Sequence, residues 1–306
     1  MKKPNFFILG APKCGTTSLA AWLSQHPQVY MSPVKEPNFF NTDHLELHRP
    51  TRREYERLFE PAQESHVAVG EASVRYLSSQ VAVPAILEFQ PDARFIVAVR
   101  NPVEMAFSLH KQWVFSGAEN LTCFENAWRA QEDRAHGRRL PPLGYPNQYG
   151  EFCSVGKQIR QLYRLVDQER VRIVFLDDIR AEPASAYADV LRFLGVRDDH
   201  VPDFKMHNPS QERKYPWLRK LSIRAGLLKR AVGIRRGIGL IGALDNWNTK
   251  EKKWSAASSM VPELREYFRR DVAELEEITG RNLSSWLNEE LMPGSGDNGY
   301  LNNRRR

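Results

Sequence analysis

Cysteine is scarce in this chain of 306 residues. Only Cys14, Cys123 and Cys153 occur, and no C-x-x-C pair is present. An odd count at wide spacing speaks against a disulfide framework and against a zinc site, and it suits a reducing compartment. Long apolar runs are missing too. No stretch reaches the roughly 20 apolar residues that span a bilayer. The opening MKKPNFFILGAP has the two lysines and the apolar run of a secretion signal, but FFIL is too short for the core of one. The expectation is a soluble, cytoplasmic protein. Internal repeats and low-complexity blocks are absent before the last residues, 293–306 (PGSGDNGYLNNRRR), which read as a disordered tail.

What is present suits a folded domain. Hydrophobic residues make up 42% and charged residues 26%, and the length allows one large core or two small ones. Residues 1–292 are read as one domain. The formal net charge of +7 is unevenly placed. Between Arg213 and Lys253 twelve Lys and Arg face only Asp245 and Glu251, so this stretch carries +10 and the rest of the chain −3. Such asymmetry points to an anionic partner, or it is a solvated charged face.

Short apolar runs alternate with helical patterns. NFFIL (Asn5–Leu9), His66–Val69, RFIVAV (Arg94–Val99) and VRIVFL (Val171–Leu176) read as buried strands. Thr16 or Thr17 is expected to cap a helix with Leu19, Trp22 and Leu23 on its apolar face. Helical patterns follow around Val83–Phe89, from Pro102, over Ala184–Leu194 and from Pro262 to Leu287. This alternation predicts an α/β protein: a central parallel sheet of about five strands flanked by helices, three layers in all, with a helical C-terminal elaboration.

The segment GAPKCGTT, residues 10–17, joins the first strand to its helix. A glycine turn there points backbone N–H groups inward, and the helix dipole adds positive charge, so phosphate is the natural occupant. Gly10 and Gly15 permit the turn, and the hydroxyls of Thr16 and Thr17 are available to it. The Gly-to-Gly spacing is that of an NTPase P-loop, yet Thr16 stands where the lysine belongs, and Lys13 lies inside the loop. A kinase would also need a magnesium-holding acid. Asp177 and Asp178, after the fourth apolar run, keep that reading open.

FFILGAPKCGTTSL resembles the 5′-phosphosulfate-binding motif of sulfotransferases that use 3′-phosphoadenosine 5′-phosphosulfate (PAPS). RFIVAVRNPVEMAFSLH is similar to their 3′-phosphate-binding segment, a strand followed by Arg-x-Pro and a Ser eight residues after the Arg. SPVKEPNFF and GEASVRYL resemble segments of the Golgi heparan-sulfate sulfotransferases and their bacterial relatives. Two later segments, VFLDDIRAEPASAYADVLRFLGV and YFRRDVAELEEITGRNLSSWL, resemble the last helices of the bacterial members, so the likeness runs from residue 5 to about 287.

The resemblance implies a P-loop fold and sulfuryl transfer from PAPS to a hydroxyl or amine, with no metal and no nucleic acid. It puts Lys13 beside the bridging oxygen and the 5′-phosphate, within a donor loop of Lys13, Cys14, Gly15, Thr16, Thr17 and Ser18. Arg100 and Ser108 match the 3′-phosphate ligands, and Lys35 falls where the family has a lysine near the sulfonate. Arg213 and Lys214 fall where many members carry an Arg-Lys-Gly loop over the 3′-phosphate, although Tyr215 replaces the glycine. Glu71 matches the catalytic glutamate of the Golgi-type enzymes. It follows the run HVAV and Gly70, and a cap or an Arg75 pair is the alternative. His110 is the next candidate for a base. A saccharide or glycosylated small molecule is the first expectation for the acceptor, and a lipid or polyketide-like metabolite the second. The basic stretch 213–253 is ranked as a lid, an acceptor-docking surface or a peripheral membrane contact.

Overall fold

The computed structural model describes residues 2–44, 49–141, 143–205, 211–213, 249–251 and 259–288. Phe6–Gly10 forms β1, every residue of it buried, so FFIL is a central strand of the domain. Val29–Met31 (β2), Ala68–Ala72 (β3), Arg94–Val99 (β4) and Val171–Phe175 (β5) complete a five-stranded sheet in the order β2-β3-β1-β4-β5. All four pairings are parallel, as alternating strands and helices require.

Successive side chains of a strand point to opposite faces, and both faces here are apolar. Phe6, Ile8, Ile96 and Val174 enter one core. It is closed by Leu19, Trp22 and Leu23 of α1 (Thr16–Leu23) and by Tyr187, Val190, Leu191 and Leu194 of α10 (Pro183–Leu194). Phe7, Leu9, Phe95 and Val97 enter the larger core on the other face. Helices α3 (Ala82–Phe89), α4 (Pro102–Ser116), α7 (Tyr149–Cys153), α8 (Val155–Leu162) and α11 (Val261–Thr279) line it. Each fully buried large apolar side chain stabilises the fold by roughly 1.5–3 kcal/mol, so burial on both faces explains why the strands read as continuous apolar runs.

Several boundaries depart from expectation. Helix α1 is capped by the backbone of Gly15, not by a threonine hydroxyl, because Thr16 is already its first residue. Strand β3 begins at Ala68 and runs through Glu71, so that carboxylate lies within the strand. The strand β5 ends at Phe175, and Leu176 opens α9 (Leu176–Ala181). Helix α11 stops at Thr279, where Gly280 (φ 66°) forms a left-handed cap, and Ser284–Trp286 is a separate 3-10 turn. Its buried residues Leu264, Phe268, Val272 and Leu275 recur at helical spacing.

Some elements escaped sequence reading. Helix α2 (Arg52–Arg57) carries a full capping box between Thr51 and Glu54, and that T-x-x-E spacing was its available signal. Strand β2 is only three residues long. Helices α5 (Phe124–Arg129) and α6 (Gln131–Ala135) are too short to show a period. A small antiparallel pair, β6 (Gln211–Arg213) with β7 (Thr249–Glu251), aligns Arg213 with Thr249. Among the described residues no helix is long and apolar enough to cross a membrane. Lys214, most of the basic stretch 213–253 and the tail 293–306 lie outside the described residues.

Candidate active site

In a parallel sheet all the carboxyl ends open on one side, and that side is where ligands bind. Strand β1 is the middle strand, with β3 and β4 as its neighbours. Topology therefore brings two sequence-distant pieces to one rim, the loop after β1 and Arg100 directly after β4, with Glu71 lower in β3, level with Phe7 and Phe95.

The loop turns on two left-handed residues, Lys13 (φ 65°) and Gly15 (φ 84°). At Gly15 a Cβ would also stand 2.9 Å from Leu176 Cδ1, so the position asks for glycine twice over. A helix leaves the N–H groups of its first turn without intrahelical carbonyls. In α1 the first such bond runs from Leu19 N to Gly15 O at 3.1 Å. That turn holds Thr16, Thr17 and Ser18, of which Thr16 and Ser18 are buried and Thr17 half-buried. Cys14 contributes backbone only. Its thiol is wholly buried, bonded to Pro12 O at 3.4 Å and against Met105 Sδ at 3.8 Å, and burial pushes its pKa up to about 12.

Three cations gather at the loop. Burial, then Arg100, then Lys35 lower the pKa of Lys13, the signature of positive charges crowded together. Lys13 Nζ donates to Gln112 Oε1 at 3.3 Å, and Lys35 pairs with Glu36 at 2.8 Å. Arg100 donates through Nη1 to Lys13 O at 3.2 Å, which fastens the end of β4 to the loop. Its Nε and Nη2 both reach Glu104 Oε2, at 3.0 and 2.7 Å. Glu104, Ser108 and Gln112 follow one another at i, i+4 and i+8 along α4, so they share a face. The outer two hold Arg100 and Lys13, and Ser108 lies between them on the face turned to the loop. Glu104 and Gln112 were missed in the sequence, although the spacing that singled out Ser108 also reaches them.

Glu71 is fully buried. It lies opposite Phe7 in the sheet register and faces the larger core. Oε1 accepts from Tyr55 Oη at 3.1 Å and from Tyr76 Oη at 2.9 Å, while Oε2 accepts from Ser73 Oγ at 2.7 Å. Desolvation outweighs these three donors and lifts the carboxyl to about pH 7. Neither a helix cap nor Arg75 is its partner. Arg75 instead places its guanidinium 5.4 Å from the ring of Tyr145. Gly70 serves packing, not access to the site: a Cβ there would meet the Phe6 ring at 2.4 Å. Glu36 links Glu71 to the cation cluster. Its N–H bonds Ala72 O at 2.9 Å, and its charge is felt by both Lys13 and Glu71.

Other candidates serve the fold. His110 is buried, its Nε2 is 2.8 Å from Leu121 O, and its ring packs on Phe124 and Tyr149. Asp178 makes a two-bond pair with Arg281 at 2.6 and 2.8 Å, and Asp177 accepts from Trp286 Nε1 at 3.1 Å. Both aspartates thus fasten the C-terminal segment, which does not favour the kinase reading. Strand β6, with Arg213, lies alongside α4.

Known proteins share this plan. Mouse (Mus musculus) carbohydrate sulfotransferase 15 is 30% identical over 148 residues, covering 34% of this chain and 26% of that protein. Bovine (Bos taurus) bifunctional heparan sulfate N-deacetylase/N-sulfotransferase 2 is 24% identical over 307 aligned residues, 95% of this chain and 31% of the relative. The chain therefore spans about a quarter to a third of the length of these two curated relatives. A crystal structure of a sulfotransferase from Alicyclobacillus acidocaldarius superposes with a TM-score of 0.70 at 27% identity, covering 94% of this chain and 100% of that one. The model of the sulfotransferase domain family matches residues 3–237, well over half of the chain and both pieces of the rim, so the protein belongs to the sulfotransferase domain family.

Proposed function

We propose that this protein transfers a sulfuryl group from PAPS to a hydroxyl or amine of a saccharide or other small-molecule acceptor, releasing 3′,5′-bisphosphoadenosine. The observation that carries the reading is the cation cluster of Lys13, Arg100 and Lys35 around the loop after β1, with Glu36 standing between it and the buried carboxyl of Glu71. The acceptor class is supported by the two carbohydrate-directed relatives.

In this reading the loop amides and Lys13 take the 5′-phosphosulfate, and Arg100 with Ser108 takes the 3′-phosphate. An acceptor oxygen attacks sulfur, the bond from sulfur to the bridging oxygen breaks, and its electron pair stays on the released phosphate. Lys13 meets the charge that develops on that oxygen, an interaction stronger in the transition state than before it. The acceptor proton passes to Glu71. A carboxyl raised to about 7 is partly ionised at neutral pH and takes a proton more readily than an ordinary carboxylate. Mass spectrometry of an acceptor panel incubated with PAPS tests the proposal. Sulfonate addition that persists in EDTA is expected. Phosphate addition that needs ATP and magnesium would overturn it.

A further inference from the structure

Glu104 has no place in the reaction described above, yet it holds the residue assigned to the 3′-phosphate. One oxygen, Oε2, accepts from both Nε and Nη2 of Arg100. The same oxygen lies 3.9 Å from Arg180 Nη1 on α9. The pair is mostly shielded from water, with the Arg100 side chain 16% exposed and Glu104 23%. A single acidic oxygen between two arginines, on the helix face that also carries Ser108, occupies the kind of position a phosphate oxygen takes.

We propose that Glu104 is a specificity-determining residue: an internal anion that competes with the donor's 3′-phosphate for Arg100 and keeps the affinity for bisphosphorylated nucleotide moderate. The inference rests on the reading of Arg100 as the 3′-phosphate cation. A guanidinium has five N–H groups. In the pair, the edge formed by Nε and Nη2 is committed to Glu104, and Nη1 to the loop carbonyl of Lys13. A 3′-phosphate entering between Arg100 and Ser108 has to share or displace the carboxylate, and two anions this close repel one another. Nucleotides without a 3′-phosphate make no such demand. Glu104 therefore weakens donor and bisphosphorylated product alike, relative to nucleotides without a 3′-phosphate, and the weaker hold lets the product leave after transfer.

Isothermal titration of 3′,5′-bisphosphoadenosine and of AMP into the wild-type protein, Glu104→Gln and Glu104→Ala tests this. Gln keeps the volume and an oxygen for Arg100 to donate to, and Ala removes both, so the two variants separate charge from positioning. Both are expected to bind bisphosphoadenosine more tightly, by on the order of tenfold, with AMP unchanged. If both bind it no better than the wild type while the wild type still prefers it to AMP, Glu104 merely holds Arg100 in place and the inference is wrong. A wild type that fails to distinguish the two nucleotides would instead overturn the assignment of Arg100 and, with it, this proposal.

Discussion

Tyr76 donates its hydroxyl proton to Glu71 Oε1 at 2.9 Å and at the same time accepts the N–H of Phe39 at 2.9 Å. Through that one hydroxyl, the KEPNFF segment is fixed to the buried carboxylate. Asn38 does the same through Ser73: its N–H bonds Ser73 Oγ at 3.2 Å, and Ser73 bonds Glu71. Glu71 and the segment bearing Lys35 therefore form one unit.

Glu71→Gln is expected to lower turnover by roughly 10²-fold or more while leaving bisphosphoadenosine binding intact. Wild-type kcat/KM should fall as pH drops through about 7, where the carboxyl protonates, and the variant should lose that limb. Normal turnover by Glu71→Gln on a confirmed acceptor would place the base elsewhere.

The same shift has a stability consequence. The folded pKa of Glu71, about 7, lies above its ordinary value of 4.5, so the protonated form is the one the fold favours. That contribution is complete below about pH 4.5 and is lost as pH rises through 7. Glu71→Gln, which cannot ionise, should be more stable than the wild type at pH 8, by up to roughly 3 kcal/mol, and equal to it near pH 4. Urea denaturation at both pH values measures the difference, and a variant less stable at pH 8 would contradict it.

Tyr76→Phe removes a donor that favours the charged carboxylate. The acid limb of the rate profile should move to higher pH, with activity largely recovered on the alkaline side. An unmoved limb would mean that Tyr76 only anchors Phe39 and Phe40.

Lys13→Ala should reduce turnover by about 10²- to 10³-fold, with a much smaller loss of bisphosphoadenosine affinity, because its interaction grows as the leaving oxygen gains charge. Single-turnover rates and nucleotide titrations separate the two effects. Equal losses in both would make Lys13 a binding residue alone.

Away from the site, Arg134 and Glu119 form an ion pair whose side chains are both 0% exposed, joined by two bonds of 2.7 and 2.9 Å. Tyr149 Oη and Leu121 N also donate to Glu119, at 2.8 and 2.9 Å. Arg134→Ala leaves that carboxylate buried without its counter-charge and is expected to cost about 3–5 kcal/mol in denaturant unfolding. A cost below 1 kcal/mol would show that the remaining donors, the Tyr149 hydroxyl, the Asn147 amide and the N–H groups of Asn120 and Leu121, suffice.

The sequence by itself determined the strand–loop–helix at residues 6–23 and β4 with its Asn101-Pro102 helix start, while the strand order brought Lys13 and Arg100 together. The first two features are local: an apolar run, a glycine turn and a proline each act within a few residues. Family membership was legible for the same reason, since its motifs are contiguous. Only the tertiary structure decided the environment of Glu71, because Tyr55 approaches it from α2, sixteen positions away, and burial sets its proton affinity. It also gave Asp177 and Asp178 to Trp286 and Arg281, more than a hundred residues on, where a one-dimensional reading sees a metal-holding pair. The hold of Glu104 on Arg100 lay between these cases. Its i+4 spacing was visible in the sequence, but whether a carboxylate turns toward an arginine or toward water depends on how α4 packs beside the loop.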